Sequence, residues 1–406
     1  MQSISQQFEE FRALGMKLDM SRGKPSPAQL DLSRALLDTV KSDDALTAAD
    51  GTDCRNYGVL LGLPEARKLF ADLLDVPAAQ LVAADNSSLS LMHDALAFAL
   101  LHGTPGQAPW RGQEPVSFIC PVPGYDRHFA ICEALGVRMI NVDLKEDGPD
   151  MDAVEKLVAA DASIKGIWCI PKYSNPTGTV YSAAVAQRLA QMSTAAPDFR
   201  IFWDDAYRFH HLSDQRIETP RIVELCAAAG HPDRVLVFAS TSKITFAGAG
   251  VGVLAGSPAN LAWWQKCTSV RTIGPDKINQ LRHVRFLRDR AGVEALMERH
   301  RALLQPRFEA VEAVFSEYLG KVEGVSWTRP QGGYFINLVT PPGQAKRTVD
   351  LAKQAGITLT PAGASFPYGK DPQDRHIRIA PSFPSLEEIR LAAKGVSLAL
   401  LQAIAG

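Results

Sequence analysis

The chain has 406 residues, a formal net charge of -1 and 46% hydrophobic residues. Near neutrality gives it no electrostatic grip on nucleic acid or an anionic membrane, and its length predicts two or three domains with ample core. The six cysteines (Cys54, Cys120, Cys132, Cys169, Cys226, Cys267) are scattered without a CxxC pair. That predicts buried thiols in a reducing cytoplasm, with neither a disulfide nor a metal framework.

The polar, acidic opening segment is no signal peptide, and Ile4 to Leu14 has the spacing of an amphipathic helix. A loop with Gly23, Pro25 and Pro27 follows, then a helix over Pro64 to Leu74. From about residue 80 short apolar strands alternate with helices. Val116 to Cys120 reads as a strand ended by Pro121, Arg127 to Leu135 as a helix, and Arg138 to Val142 as a strand. Gly166 to Ile170 is a strand ended by Pro171, and Ala183 to Met192 a helix. Arg200 to Trp203 is a strand running into Asp204 and Asp205, and Val235 to Ala239 is a strand just before Lys243. This alternation predicts an α/β fold with a mostly parallel sheet covered by helices, its ligand beyond the carboxyl ends of the strands. After residue 277 a single helical stretch through Arg282 to Tyr318, strands at Gly333 to Leu338 and His376 to Ala380, and a helix over Leu386 to Ile404 predict a smaller α+β domain. Apolar runs such as Ala95 to Leu101 are too short to span a bilayer.

The polar motifs sit at the predicted strand ends. Lys243, in Ser240-Thr241-Ser242-Lys243, is an amine that could form a Schiff base with an aldehyde cofactor. A lysine-bound pyridoxal phosphate needs further parts, and other segments offer them. Asp204 could face the pyridine nitrogen, although an aspartate after a strand also caps turns. Its three-residue spacing to Tyr207 selects it over Asp205. Tyr207 and Asn175 could reach the phenolic oxygen, although Asn175-Pro176-Thr177-Gly178 is also a plain turn sequence. Ser87 and Ser88 open an apolar helix and could bind phosphate there, with Ser240 and Ser242 as further candidates. Arg378 suits a substrate carboxylate. The run Gly248-Ala249-Gly250-Val251-Gly252 lacks the spacing of a dinucleotide fingerprint.

In order and spacing these segments resemble the fold-type I pyridoxal phosphate enzymes, specifically class I aminotransferases. The resemblance includes Asn56-Tyr57-Gly58, Pro121-Val122-Pro123-Gly124-Tyr125 and Gln331-Gly332-Gly333-Tyr334-Phe335 and covers nearly the whole chain. Ser21 to Ser26 and Gly274 to Gln280 look like a bacterial aspartate aminotransferase-like subgroup. The resemblance implies a large cofactor-binding domain over residues 46–284 and a small domain built from both termini, 1–45 and 285–406. It implies that Lys243 carries the cofactor and shuttles a proton, that Asp204 pairs with the pyridinium, and that Tyr207 and Asn175 bind the phenolic oxygen. Ser87, Ser88 and Ser240 would hold the phosphate, and Arg378 with the backbone near Gly23 the α-carboxylate. Tyr57 would reach the neighbouring subunit's phosphate, which implies a homodimer with shared sites.

Two positions depart from the family pattern. The arginine that usually clamps the phosphate falls here at about Gly250, with Lys277 or Arg271 as replacements. The usual ring-stacking aromatic is missing two residues after the proline, and Tyr125 is the substitute. The expected reaction is ping-pong transamination, first between aspartate and 2-oxoglutarate, with Arg22, Lys24 or Arg271 for the second carboxylate. Aromatic or alanine-type donors, a lyase reaction on the same fold, and a non-catalytic ligand sensor are the alternatives.

Overall fold

The computed structural model describes residues 2–113 and 115–406. Strand β1 (Leu18–Asp19) lies near the N-terminus. The main sheet contains β2 (Leu81–Ala83), β3 (Ser117–Val122), β4 (Arg138–Lys145), β5 (Gly148–Pro149), β6 (Ile164–Cys169), β7 (Arg200–Asp204), β8 (Val235–Ser240) and β9 (Gly252–Gly256). Its eight strands run in the order β2-β9-β8-β7-β6-β3-β4-β5. The central strands β4, β3, β6, β7 and β8 are parallel, and β9 is antiparallel to both β8 and β2.

The strands are apolar on both faces because helices cover both. On β7, Ile201 and Trp203 join one core cluster while Phe202 joins another. On β8, Val235 and Val237 take the first side, Leu236 and Phe238 the second. Such two-sided burial removes the polar alternation of a half-exposed strand. Because β3, β6, β7 and β8 are adjacent and parallel, their carboxyl ends emerge along one edge in that order.

A smaller three-stranded antiparallel sheet joins β10 (Ser326–Trp327), β11 (Ile336–Val339) and β13 (His376–Ile379). Strand β12 (Ile357–Thr358) pairs in parallel with β1. Phe8 and Phe11 of the first helix share a core cluster with Ile357, Ala392 and Val396. A Cβ on Gly395 would meet Phe11 Cε1 at 2.5 Å, so a glycine there lets that helix lie close.

Three expectations change. β3 runs through Pro121, because its pairing with β6 ends at Ile119 and the missing N–H of proline costs nothing on that side. The long helical stretch is two helices, Lys277–Leu287 and Arg290–Leu319. Arg288 takes φ of 65° between them, and Asp289 caps the second. The Gly248–Gly252 run, which lacks the dinucleotide fingerprint, is the turn leading into the antiparallel strand β9. The strand expected over Gly333–Leu338 begins only at Ile336, after a left-handed Gly333.

Candidate active site

Lys243 lies in the turn that follows β8. Its amine is 5.2 Å from the centre of the Tyr207 ring. Burial lowers its pKa and Asp204 pulls partly the other way, so the neutral, nucleophilic form is favoured relative to a surface lysine. Tyr207 is 4% exposed, and burial, with Tyr125 and Asp204 nearby, raises its phenol pKa well above the ordinary value. Its hydroxyl therefore stays protonated and able to donate.

Asp204 ends β7 and is 3% exposed. His128 Nε2–H donates to its Oδ2 at 3.0 Å, while its Oδ1 is buried without a partner. His128 stacks on Trp168 at 4.3 Å, and the Tyr125 ring meets it edge-on at 5.0 Å. Asp205, by contrast, turns away to bond Arg208 at 2.6 Å.

The helix Ser88–His102 begins beside the turn after β8. Ser87 caps it, and its first-turn N–H groups have no intrahelical partner. The register Ser240↔Gly252 and the bond from Gly252 N to Asp85 O (3.1 Å) bring the two serine segments together. Ser240 Oγ donates to Ser242 Oγ at 3.0 Å. A Cβ on Gly250 would lie 2.8 Å from Asn86 O and 3.4 Å from Ser242 N, and one on Gly252 2.7 Å from Ser87 O. No side chain fits at Gly250 without moving backbone, which is why an arginine cannot occupy it here.

Arg378 projects from β13 and is 7% exposed. Its Nη1 donates to Asp126 Oδ1 (2.7 Å) and Asn175 Oδ1 (3.4 Å), and its Nη2 to Thr360 Oγ1 (3.3 Å). Its Nε is buried without a partner. The guanidinium lies 5.0 Å from the Phe335 ring, which abuts Gly23 so tightly that a Cβ there would sit 2.3 Å from Cζ. Asn175 after β6 and Arg378 of the small sheet thus meet beside the cluster formed by Tyr125, Asp204 and Tyr207.

The profile of the family described as aspartate amino-transferase matches residues 1–405. The chain belongs to the aspartate aminotransferase family. It is 47% identical to an aspartate aminotransferase of Corynebacterium glutamicum, over 100% of this chain and 93% of that one. The crystal structure of an aspartate transaminase from the same species superposes with a TM-score of 0.96 at 48% identity, covering 99% and 95% of the two chains. An alpha-aminoadipate aminotransferase from Thermus thermophilus, solved with N-(5'-phosphopyridoxyl)-L-leucine, shares the fold at a TM-score of 0.79 and 21% identity, covering 100% of this chain and 96% of that one. The protein is an aminotransferase.

The residues present fit the pyridoxal phosphate of this family. The orphaned Asp204 Oδ1 is an acceptor waiting for a donor such as a ring N–H. The helix N-terminus beside Ser87, Ser88, Ser240 and Ser242 suits a phosphate, and Gly250 and Gly252 let these two segments approach closely. Other expected residues stand apart. Tyr57 is 79% exposed on the surface of this chain. Lys277 is buried and donates from Nζ to Gly58 O at 3.1 Å. Arg271 is engaged by Asp94 (2.9 Å) and Asp85 (3.4 Å). Arg22 is exposed, next to Gly23.

Sequence reasoning missed His128, Asp126 and Thr360. His128 was legible in principle, because it follows Tyr125 by three residues in a helix and so shares its face. Asp126 looks in sequence like an ordinary first-turn acid favoured by the helix dipole. A cavity of about 1060 Å³ lies elsewhere, between Lys172, Arg208, Arg216 and the helix Arg290–Leu319. Its arginines are taken by carboxylates, among them Arg208 with Asp75 and Arg216 with Glu298, so it is not the chemical centre.

Two imidazoles are held in neutral form, His300 beside the lysine turn and the part-buried His211 in the cavity lined by Lys172 and Arg216. Burial lowers the His300 pKa to about 4 and that of His211 to about 3, the latter helped by Lys172, Arg216 and Arg301. In the unfolded chain both titrate near 6.5. Between those values and about 6.5 the unfolded state binds more protons, so stability rises with pH across this window and is lost on acidification. We expect the melting temperature to fall steadily from pH 6.5 to pH 4. His300→Gln is expected to flatten that slope, as read by calorimetry.

Proposed function

We propose that this protein transfers an amino group between L-aspartate and 2-oxoglutarate by a ping-pong mechanism with pyridoxal phosphate. One observation carries the reading: an amine with a lowered pKa (Lys243) and a buried carboxylate with a free oxygen (Asp204) end adjacent parallel strands, near a buried arginine, Arg378. Lys243 would hold the cofactor through its amine and, once released, carry the proton between the substrate Cα and the cofactor. Asp204, itself held by His128, would keep the ring nitrogen protonated. Bound in this way, the cofactor supplies an electron sink for the charge left at Cα. Tyr125 would lie against the ring, and Tyr207 and Asn175 would bond its phenolic oxygen. Ser87, Ser88, Ser240 and Ser242 would bind the phosphate.

Arg378, with Gly23, would bind the α-carboxylate, oriented by Asp126, Asn175 and Thr360. Arg378→Lys loses the planar fork and is expected to raise KM for donor and acceptor about 10- to 100-fold. Steady-state kinetics with both substrates checks this. The exposed Arg22 beside Gly23 suits the second carboxylate better than Arg271, which two aspartates already engage. Lys24, whose amine lies 3.8 Å from the Phe383 ring, is a further candidate for it.

A homodimer with shared sites is supported by exposed Tyr57 (79%), Val270 (85%) and Ile273 (59%), near the Gly58–Lys277 contact. From the partner subunit, Tyr57 would serve the phosphate, whereas Lys277 is buried on Gly58 O of its own chain. The pairing of β1 with β12 supports a small unit from 1–45 and 285–406 beside a large unit at 46–284. No helix among the described residues is long and apolar enough to cross a membrane, and the six free cysteines are buried, in keeping with a cytoplasmic enzyme.

The test is the visible absorption of the cofactor-loaded protein. L-aspartate alone should discharge the band and 2-oxoglutarate restore it. A band that ignores aspartate but responds to another amino acid would replace the donor.

A further inference from the structure

Two buried histidines lie behind Lys243 and have no place in the chemistry above. Both aim Nε2 at the backbone of the lysine turn. His300 Nε2 is 2.9 Å from the carbonyl oxygen of Ile244, and His210 Nε2 is 3.3 Å from that of Lys243 itself. A carbonyl only accepts, so each Nε2 carries the proton. His300 is 1% exposed and comes from the helix Arg290–Leu319. His210 is 3% exposed and its ring packs edge-on against Tyr207 and Tyr334.

The tautomer of His300 is fixed from the far side. Gln29 Nε2 lies 3.1 Å from His300 Nδ1 and 2.9 Å from Tyr334 Oη. Its carbonyl oxygen accepts from Ser26 N at 3.1 Å. That oxygen is therefore committed, and the amide nitrogen must face Nδ1, which then can only accept. A proton on Nδ1 would point at another donor. Burial alone also disfavours the charged form. A continuous buried chain thus runs from Ser26 through Gln29 and His300 to the peptide beside Lys243. Ser26 and Gln29 belong to the same N-terminal segment as Gly23, which abuts Phe335, the ring that faces Arg378.

We infer that His300, locked in one tautomer by Gln29, is a positioning residue for Lys243 that ties the placement of its amine to the substrate-side segment around Gly23. This rests on the reading of Lys243 as the acting amine. Thr241 and Thr245 are anchored on the other side of the turn, by Val251 and by His283 Nε2 at 3.3 and 2.8 Å, but the Ile244 carbonyl next to Lys243 accepts only from His300 and, at 3.3 Å, from Ser33 Oγ among the described residues. Losing the His300 bond leaves a buried carbonyl under-satisfied and lets the turn shift. A displacement of about 1 Å in a proton-transferring group can cost about a hundredfold in rate.

The experiment uses the cofactor-loaded enzyme with His300→Leu, His300→Gln and Gln29→Leu. Two quantities are read: the midpoint of the pH titration of the visible band without substrate, and kcat and KM for L-aspartate. His300→Leu is expected to move the midpoint by more than about half a pH unit and to lower kcat about 10- to 100-fold, with KM little changed. His300→Gln, whose amide can replace the Nε2 donor, should restore most of both. Gln29→Leu, which frees the tautomer, should move both in the same direction by less. A parent-like midpoint and kcat in His300→Leu would overturn the inference. If that variant does not fold or load, parent-like values in Gln29→Leu would overturn it equally. A band that shifts as expected but ignores aspartate would count against the donor and support the positioning role.

Discussion

Lys243→Ala is expected to abolish turnover while the protein still folds and binds some cofactor. In the proposed reaction the amine is both the attachment point and the proton carrier, so two functions would disappear together. General base catalysis alone accounts for about 10²- to 10⁴-fold, and the loss should exceed that. The fold should tolerate the change, because no side-chain hydrogen bond or ion pair of Lys243 is found among the described residues; its measured contacts are its carbonyl with His210 and its amine over Tyr207. The proposed phosphate ligands and Asp204 remain, so some cofactor binding should survive. Single-turnover kinetics and a cofactor titration followed by absorption check the two halves. Normal turnover in this variant would refute the assignment.

Asp204→Asn should be the second most damaging change. The carboxylate is buried, with one oxygen held by His128 and the other unpartnered. An amide removes the negative charge and must also face either His128 Nε2–H or the cofactor with its NH₂ group, so one contact becomes donor against donor. Buried preorganised charge of this kind is worth about 10²- to 10³-fold, and we expect kcat to fall about 10³-fold, equivalent to about 4 kcal/mol. Asp204→Glu should not rescue it, since the extra methylene displaces the charge in a packed site between His128 and Tyr207. His128→Leu should show a smaller loss, because it leaves the charge in place and removes only its support. Comparing kcat for the three variants separates charge from position. Equal effects of Asp204→Asn and His128→Leu would mean that orientation, not charge, is what Asp204 supplies.

Much of this site could be read in the sequence because its residues fall at strand ends. Asp204, Asn175 and Lys243 each follow a continuous apolar run, and parallel strands put those ends on one edge. Asp204, chosen over Asp205 by its spacing to Tyr207, ends β7 with its side chain against His128, whereas Asp205 points to Arg208. What was misread depended on neighbours. Pro121 looked like a stop, yet it lies where β3 no longer pairs with β6. The helix over Arg282 to Tyr318 looked continuous because its apolar spacing survives the break at Arg288 and Asp289.

The alternation of strands and helices, and the chemistry-bearing residue types at the strand ends, could be read from the sequence. These follow from local periodicity and from the few side chains able to do each job. The order of those strands in the sheet came from the fold. Only the tertiary structure decided which groups meet across distance: Asp126 and Thr360 on Arg378, His128 on Asp204, and Gln29 and His300 behind Lys243. Those contacts join residues up to 271 positions apart. Buried polar atoms must find partners wherever the fold delivers them, and no local pattern records which partner that will be.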